Sequence, residues 1–213
     1  RSAQLLSYSD KPHVKNLLFI FLLSSFIFSC APATPDSTPP IVDVYATPAA
    51  QPWLTKLYDC AASASVTLNV TPDAPDILLR LGEPQGLSTP AFQVDTEEIL
   101  VVVNRLNPLG NLTLEQARSL FAGRGDASLQ IWVYAQGQDV QGVFDQAVME
   151  GRSVASNASL AVTPQQMSDA LNSNANALGI LPRHWKVGDA REILTVASVP
   201  VLAITPSEPQ GIV

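Results

Sequence analysis

Residues 97–123 read EEILVVVNRLNPLGNLTLEQARSLFAG, and this stretch decides the fold. The saturated run from Ile99 to Val103 predicts a strand, because β-branched side chains at this density suit a pleated, buried surface. Asn104-Arg105-Leu106-Asn107-Pro108 then ends it. Pro108 disfavours helix for the residue before it, and Gly110 is expected to supply an unusual φ. Thr113, followed three residues later by Gln116, carries the signature of a capping box and predicts a helix over 114–122. Such a segment is either an ordinary buried strand and helix or the entry to a lobe that closes over a ligand.

The flanking sequence repeats the same alternation. Upstream, IVDVYA (41–46) predicts a strand. Trp53, Leu54, Leu57 and Ala61 then fall at helical spacing, SVTLNVT (65–71) alternates as a second strand, and PDILLRL (75–81) is a short apolar third. After the turn-rich GEPQGLSTP, the runs AFQV and EILVVVN predict two further strands. Downstream, LQIWVYA (129–135), SLAVT and ALGILPR (177–183) predict strands, while QDVQGVFDQAVMEG and PQQMSDALNS predict helices, the latter with Pro164 in its first turn. REILTVASVPVLAIT closes as extended chain. Strands alternating with helices of this length imply βαβ units, hence an α/β fold with mostly parallel sheet.

The N-terminus is of another kind. Residues 17–28, LLFIFLLSSFIF, form an apolar run behind Lys11 and Lys15. As a helix it would be about 18 Å long, short of the ~30 Å hydrocarbon core, so a secretory signal fits better than a membrane span. Ile27-Phe28-Ser29-Cys30 resembles a bacterial lipoprotein signal, which implies cleavage before Cys30, acylation of its thiol and anchoring of the mature chain to the bacterial cell membrane. Residues 31–40, APATPDSTPP, read as an extended tether. The chain begins without Met, and RSAQLLSYSD looks like sequence upstream of the true start.

The whole chain has 213 residues, 46% apolar and 15% charged, enough for one ordinary core or two small lobes. Beyond Cys30 it holds 9 Lys+Arg against 18 Asp+Glu. A surface this acidic, without a basic stripe, excludes a nucleic-acid binder. Cys30 and Cys60 are the only cysteines, so lipid on Cys30 leaves Cys60 unpartnered, as a small buried helix residue. His184 is the only histidine beyond the leader. A lone His builds no zinc site, and no G-x-S-x-G elbow or Cys-His pairing accompanies it, so an enzyme is not expected. No cofactor is implied either.

The order of motifs from about residue 41 onward resembles the phosphate-binding proteins of ABC importers, which have the type II periplasmic solute-binding fold. PDILLRLGEP resembles that family's ADIA strand and loop. EEILVVVNRLNPLGNLTLEQARSLFAG resembles its crossing strand, Asn-Pro turn and LT..Q...IF.G helix. LQIWVYAQGQDVQGVFDQAVM is similar to its strand, ligand loop and Phe-bearing helix, and VPVLAITPSEPQG to its returning segment. The resemblance implies two lobes, each a mostly parallel sheet flanked by helices: residues 41–97 with 188–213, and 98–187. It implies capture of a small polar or anionic solute in the cleft by a monomer, and presentation to an ABC permease. In that family a further helix follows the returning segment, so the chain resembles one cut short before it.

In an open α/β sheet, ligands sit beyond the carboxyl ends of strands. Three loops therefore become candidates: Thr47 to Gln51, Arg80 to Glu83, and Gln136 to Gln141. The family's Ser-Gly-Thr ligand loop, aligned on Phe144, is Gln138-Asp139-Val140 here. Both hydroxyls are gone, and Asp139 brings a carboxylate to where an anion would sit, so phosphate specificity does not carry over. The candidate ligand-binding set is Thr47, Gln51, Arg80, Gln138, Asp139, Gln141 and Arg183, with Asn172 and Asn174 as further amides. Arg80 and Arg183 would pair with a carboxylate, and Asp139 with an amine or hydroxyl. Trp53, Trp132 and Trp185 either stack on an organic ligand or pack in the core. The altered loop also suits a second reading, a binding-protein-like lipoprotein without a transport role that acts as a sensory or surface interaction module.

Overall fold

The computed structural model describes residues 38–210. The signal segment, Cys30, most of the tether and residues 211–213 lie outside the described residues. No helix among the described residues is long and apolar enough to cross a membrane.

The saturated run is the second half of a 13-residue strand, β4 (Ala91–Val103). Ile99, Leu100, Val101, Val102 and Val103 are all fully buried. Consecutive burial means that both faces of the sheet are covered at this point, which is why the run does not alternate. Each such side chain stabilises by roughly 1.5–3 kcal/mol. AFQV and EILVVVN are therefore one strand and not two, and the first half is the exposed one: Phe92 and Val94 are 44% and 51% exposed.

Before β4 come β1 (Ile41–Ala46), a 3-10 turn over Pro48–Trp53, α1 (Leu54–Ser63), β2 (Thr67–Val70) and β3 (Ile77–Leu81). After it come α2 (Leu114–Phe121), β5 (Gln130–Tyr134), α3 (Asp139–Phe144), β6 (Ser159–Ala161), α4 (Pro164–Ser173), β7 (Ala177–Pro182) and β8 (Arg191–Ile204). The capping box forms as expected: Gln116 N donates to Thr113 Oγ1 at 3.2 Å, and Thr113 N to Gln116 Oε1 at 2.8 Å. Thr163 caps α4 in the same way through Gln166 N, with Pro164 in the first turn. The helix after β5 does not run regularly. It passes from α3 into a π turn over Asp145–Met149, where buried Arg118 donates from Nε to the Val148 carbonyl at 2.5 Å. A widened turn frees carbonyls that need such a donor.

The strands form one eight-stranded sheet in the order β2-β1-β3-β8-β4-β7-β5-β6. The outer three strands on each side are parallel to one another. The three central pairings, β3 with β8, β8 with β4 and β4 with β7, are antiparallel. The sheet is thus mixed: a parallel set on each side, as expected of each half, is joined to the other through the antiparallel centre, so that hydrogen bonding runs through all eight strands. The long β4–β8 ladder is the reason. β8 pairs along β4 from Ala91 to Val103, whereas β7 joins β4 only from Ile99 and β3 joins β8 only over Val201–Ile204. Register shifts near Gln93, Ile99 and Val101 add local twist to this central pair.

The turn after β4 is built by its asparagines. Asn104 Oδ1 accepts from Leu106 N, and its amide donates to the Leu171 and Asn172 carbonyls at the end of α4. Asn107 repeats the pattern with Leu109 N and the Ala175 carbonyl. Gly110, contrary to expectation, is not among the glycines with positive φ. Side-chain mimicry of a backbone turn made that freedom unnecessary. Cys60 is also corrected: it is exposed.

Candidate functional site

β1 and β3 lie on one side of the β8–β4 pair, β5 and α3 on the other, and their loops meet at Asp139. The Asp139 carboxylate is 5% exposed. One oxygen accepts from the Thr47 hydroxyl at 2.5 Å and from Leu81 N–H at 2.9 Å. The other accepts from Val140 N–H at 2.9 Å. Three donors from three segments thus converge on one buried anion, which is the arrangement an oxyanion needs. Hydrogen bonds to a charged acceptor contribute about 1.5–3 kcal/mol each, so the donors and the charge offset each other's desolvation. The buried Tyr134 phenol is held well above its ordinary pKa, first by desolvation and then by the Asp139 charge, so it stays neutral.

Thr47 and Asp139 are therefore brought together as expected of a cleft, but with each other. Leu81 contributes through its backbone, which its side-chain type did not signal. The remaining candidates are elsewhere. Gln141, 4% exposed, accepts from Tyr134 N and donates to Asp145, so it braces α3 against β5. Gln138 donates to the Val162 carbonyl at 3.2 Å. Gln51 is exposed on the 3-10 turn. Arg183 is held by Glu98 and Glu192 in an exposed ion-pair group. Asn172 ties the end of α4 to the Val187 and Asp189 backbone, and Asn174 bonds Gln130.

The tryptophans divide. Trp53 is buried, donates to Asp95 at 2.9 Å and lies 4.6 Å from the His184 ring. Trp185 donates to the Ala49 carbonyl at 3.0 Å. His184 Nδ1 is 2.5 Å from the nearly inaccessible Glu97 carboxylate, whose other oxygen accepts from Glu98 N and Arg183 N. These contacts tie the segment after β7 to the turn after β1. Trp132 packs against the core. Sequence reasoning missed Glu97 because its partner His184, on the chain just after the adjacent strand β7, is 87 residues away.

Arg80 has a buried Nε without a hydrogen-bond partner, as have Trp132 at Nε1, Tyr134 at its hydroxyl and Ser168 at Oγ. Arg80 lines a cavity of about 520 Å³ together with Asp139, the loop Gly82 to Gly86, Val143, Gln146 and the β8 residues Val199 and Pro200. Gly82 sets one wall. Its φ is +68°, and a Cβ there would meet Val143 Cγ2 at 3.0 Å. Among the described residues, no group of three or more His, Cys, Asp or Glu side chains is placed to hold a metal ion.

No protein-family model matches the chain, and no curated protein matches it. Solved structures do. An assigned phosphate ABC transporter substrate-binding protein of Clostridium perfringens, solved with bound phosphate, superposes with a TM-score of 0.70 at 15% identity, over 79% of this chain and 87% of that one. An ABC-type phosphate transport receptor from Vibrio cholerae gives 0.59 at 16% identity, over 79% and 88%. The reduced regulatory domain of OxyR2 from Vibrio vulnificus gives 0.61 at 13% identity, over 81% and 90%. Phosphate receptors and a regulatory domain thus share this arrangement of strands and helices. The chain carries an α/β fold, a mixed sheet flanked by helices, of the type II periplasmic-binding-protein-like kind.

Proposed function

We propose that this chain is an extracytoplasmic, binding-protein-like module, anchored by lipid on Cys30, whose oxyanion position is filled by its own Asp139 and which serves a sensory or surface interaction role instead of phosphate capture. One observation carries this reading: the donors that would hold a free anion, Thr47 Oγ1, Leu81 N and Val140 N, are already bonded to Asp139. A tetrahedral oxyanion entering there would meet a fixed negative charge at contact distance and find no free donor. The two lobes of this reading are residues 41–97 with 188–213 and residues 98–187, joined through β4 and β8. Asp139 then acts as the ligand that fastens one to the other. The likeness of the fold to OxyR-type regulatory domains as well as to transport receptors suits a module that has kept the binding architecture for another purpose.

Thermal-shift and calorimetric titrations with phosphate, sulfate and molybdate test it. The wild-type chain is expected to respond to none of them. Asp139→Ser, which withdraws the carboxylate and supplies a hydroxyl, is expected to respond to at least one. Saturable phosphate binding by the wild type would overturn the proposal.

A second reading has its own observation. The unpaired Arg80 in an open cavity suits a receptor that delivers a small polar or anionic solute other than phosphate to an ABC permease. Genes for a permease and an ATPase beside this one would favour it.

A further inference from the structure

We infer that His184 is a charge-controlled strap: as imidazolium it holds the segment after β7 on the turn after β1, and as neutral imidazole it lets that contact loosen. Such a device is independent of whether the Asp139 cradle excludes an anion.

The strap is built on a buried carboxylate. Glu97 lies in β4, and its side chain is 1% exposed. One oxygen accepts from Glu98 N–H at 2.9 Å and from Arg183 N–H at 3.1 Å. The other stands 2.5 Å from His184 Nδ1. The two backbone donors are neutral, so they satisfy hydrogen bonds without cancelling the charge. Among the described residues, His184 is the only basic side chain in ion-pair contact with Glu97. The charged groups on neighbouring elements are committed elsewhere. Glu98 of β4 and Glu192 of β8 hold Arg183. Asp95, bonded to Trp53 Nε1, also holds Lys56 of α1. Asp169 of α4 accepts from Gln165, and Lys186 is half-buried beyond Trp185.

Trp53 supplies the second contact. Its ring centroid lies 4.6 Å from that of His184, with the planes 56° apart. An aromatic face attracts a cation within about 6 Å of its centroid, so protonation strengthens this contact as well. Next in the chain, Trp185 Nε1 donates to the Ala49 carbonyl at 3.0 Å. The 3-10 turn Arg183–Trp185 is therefore fastened at Glu97 on β4 and at Ala49 and Trp53 after β1. The His184 side chain is 49% exposed, so solvent protons reach it. Histidine is the side chain whose charge ordinarily changes between about pH 5 and 8. At mildly acidic pH, Glu97 faces an imidazolium at contact distance. Once that proton leaves, the buried carboxylate keeps only neutral donors, and a buried charge without a counterion is unfavourable. The strap thus holds in mild acid and weakens as pH rises.

The test is urea denaturation of the chain at about pH 5.5 and about pH 8, the range in which histidine titrates. His184 is the only histidine beyond residue 30, so the response has one ordinary source. The wild-type folding constant divided by that of His184→Gln is expected to fall about threefold or more from the lower pH to the higher. His184→Phe keeps a ring beside Trp53 without a charge and is expected to follow His184→Gln. Glu97→Gln is expected to remove the pH dependence of the wild type. The indole Nε1–H signals of Trp53 and Trp185 in NMR give a second readout that does not depend on the Glu97 variant folding. They are expected to move between the two pH values in the wild type and to stay in place in His184→Gln. A merely structural histidine would give the same ratio at both pH values, and that result overturns the inference, as do indole signals that move equally in His184→Gln. Neither result bears on the phosphate response of Asp139→Ser, so the strap and the cradle succeed or fail separately.

Discussion

Asp139 and Arg80 line one cavity and have opposite fates. The carboxylate is buried with donors on both oxygens, and the guanidinium is buried at Nε with no acceptor. They do not pair with each other. Charge alone therefore does not decide which groups meet. The cradle forms because backbone N–H groups at the end of β3 and the start of α3 are fixed by the sheet and need an acceptor, and Asp139 is the acceptor the chain itself can bring there. Arg80 has no such fixed counterpart. Asp139 is thus committed to the architecture, while Arg80 Nε is held there without an acceptor.

The comparison can be broken most directly at the cradle. Asp139→Ala strands the Thr47 hydroxyl and two N–H groups, and a loss of about 3 kcal/mol is expected in urea denaturation. A loss near zero would mean that water replaces the carboxylate freely and that the cradle is no lock. Gly82→Ala tests the cavity wall beside the cradle, where φ is +68° and Val143 stands 3.0 Å from the new methyl. About 2 kcal/mol is expected from the strained backbone and the contact together. Thr47→Val keeps the shape and removes one charge-assisted bond, for about 1.5 kcal/mol.

Asp95 sharpens the same contrast in water. It too has three donors, Lys56, Trp53 and Thr96, but it lies at the surface. The Lys56 bond above all, then those from Trp53 and Thr96, hold its carboxyl far below the usual carboxylate range. A depressed folded pKa contributes stability above the unfolded value of about 4, and the contribution is lost as pH falls below that. Asp95→Asn is therefore expected to flatten the acid limb of a stability-against-pH curve only slightly, because solvent screens the pair. The smallest effect is expected at Arg80. Arg80→Met removes an unsatisfied donor and keeps the stem, so equilibrium stability should not fall. A clear loss there would show that Arg80 has a structural partner and would end its contrast with Asp139.

Much of the fold was legible because it is written locally. The Thr113 cap, Pro164 in the first turn of α4, the order of strands and helices and the limits of β1 and β7 follow from spacing within a few residues. The errors share a cause. Two strands were expected where β4 is one, because polar Asp95, Thr96 and Glu97 look like a break until β8 pairs along the whole length. Gly110 was expected to make the turn that Asn104 and Asn107 make by reaching α4, 67 and 68 residues away. At the site, Thr47 and Asp139 meet, whereas Gln51 is exposed on its 3-10 turn and Arg183 is paired with Glu98 and Glu192.

By itself the sequence determined the α/β alternation and the cap at Thr113, since each rests on neighbours in the chain. Tertiary structure alone decided that Asp139 bonds Thr47 and Leu81, 92 and 58 residues away, that Arg80 is left without an acceptor, and that the sheet is continuous. The physical reason is that a hydrogen bond needs a donor and an acceptor within about 3 Å, and only packing of the whole sheet brings residues so distant in sequence to that range.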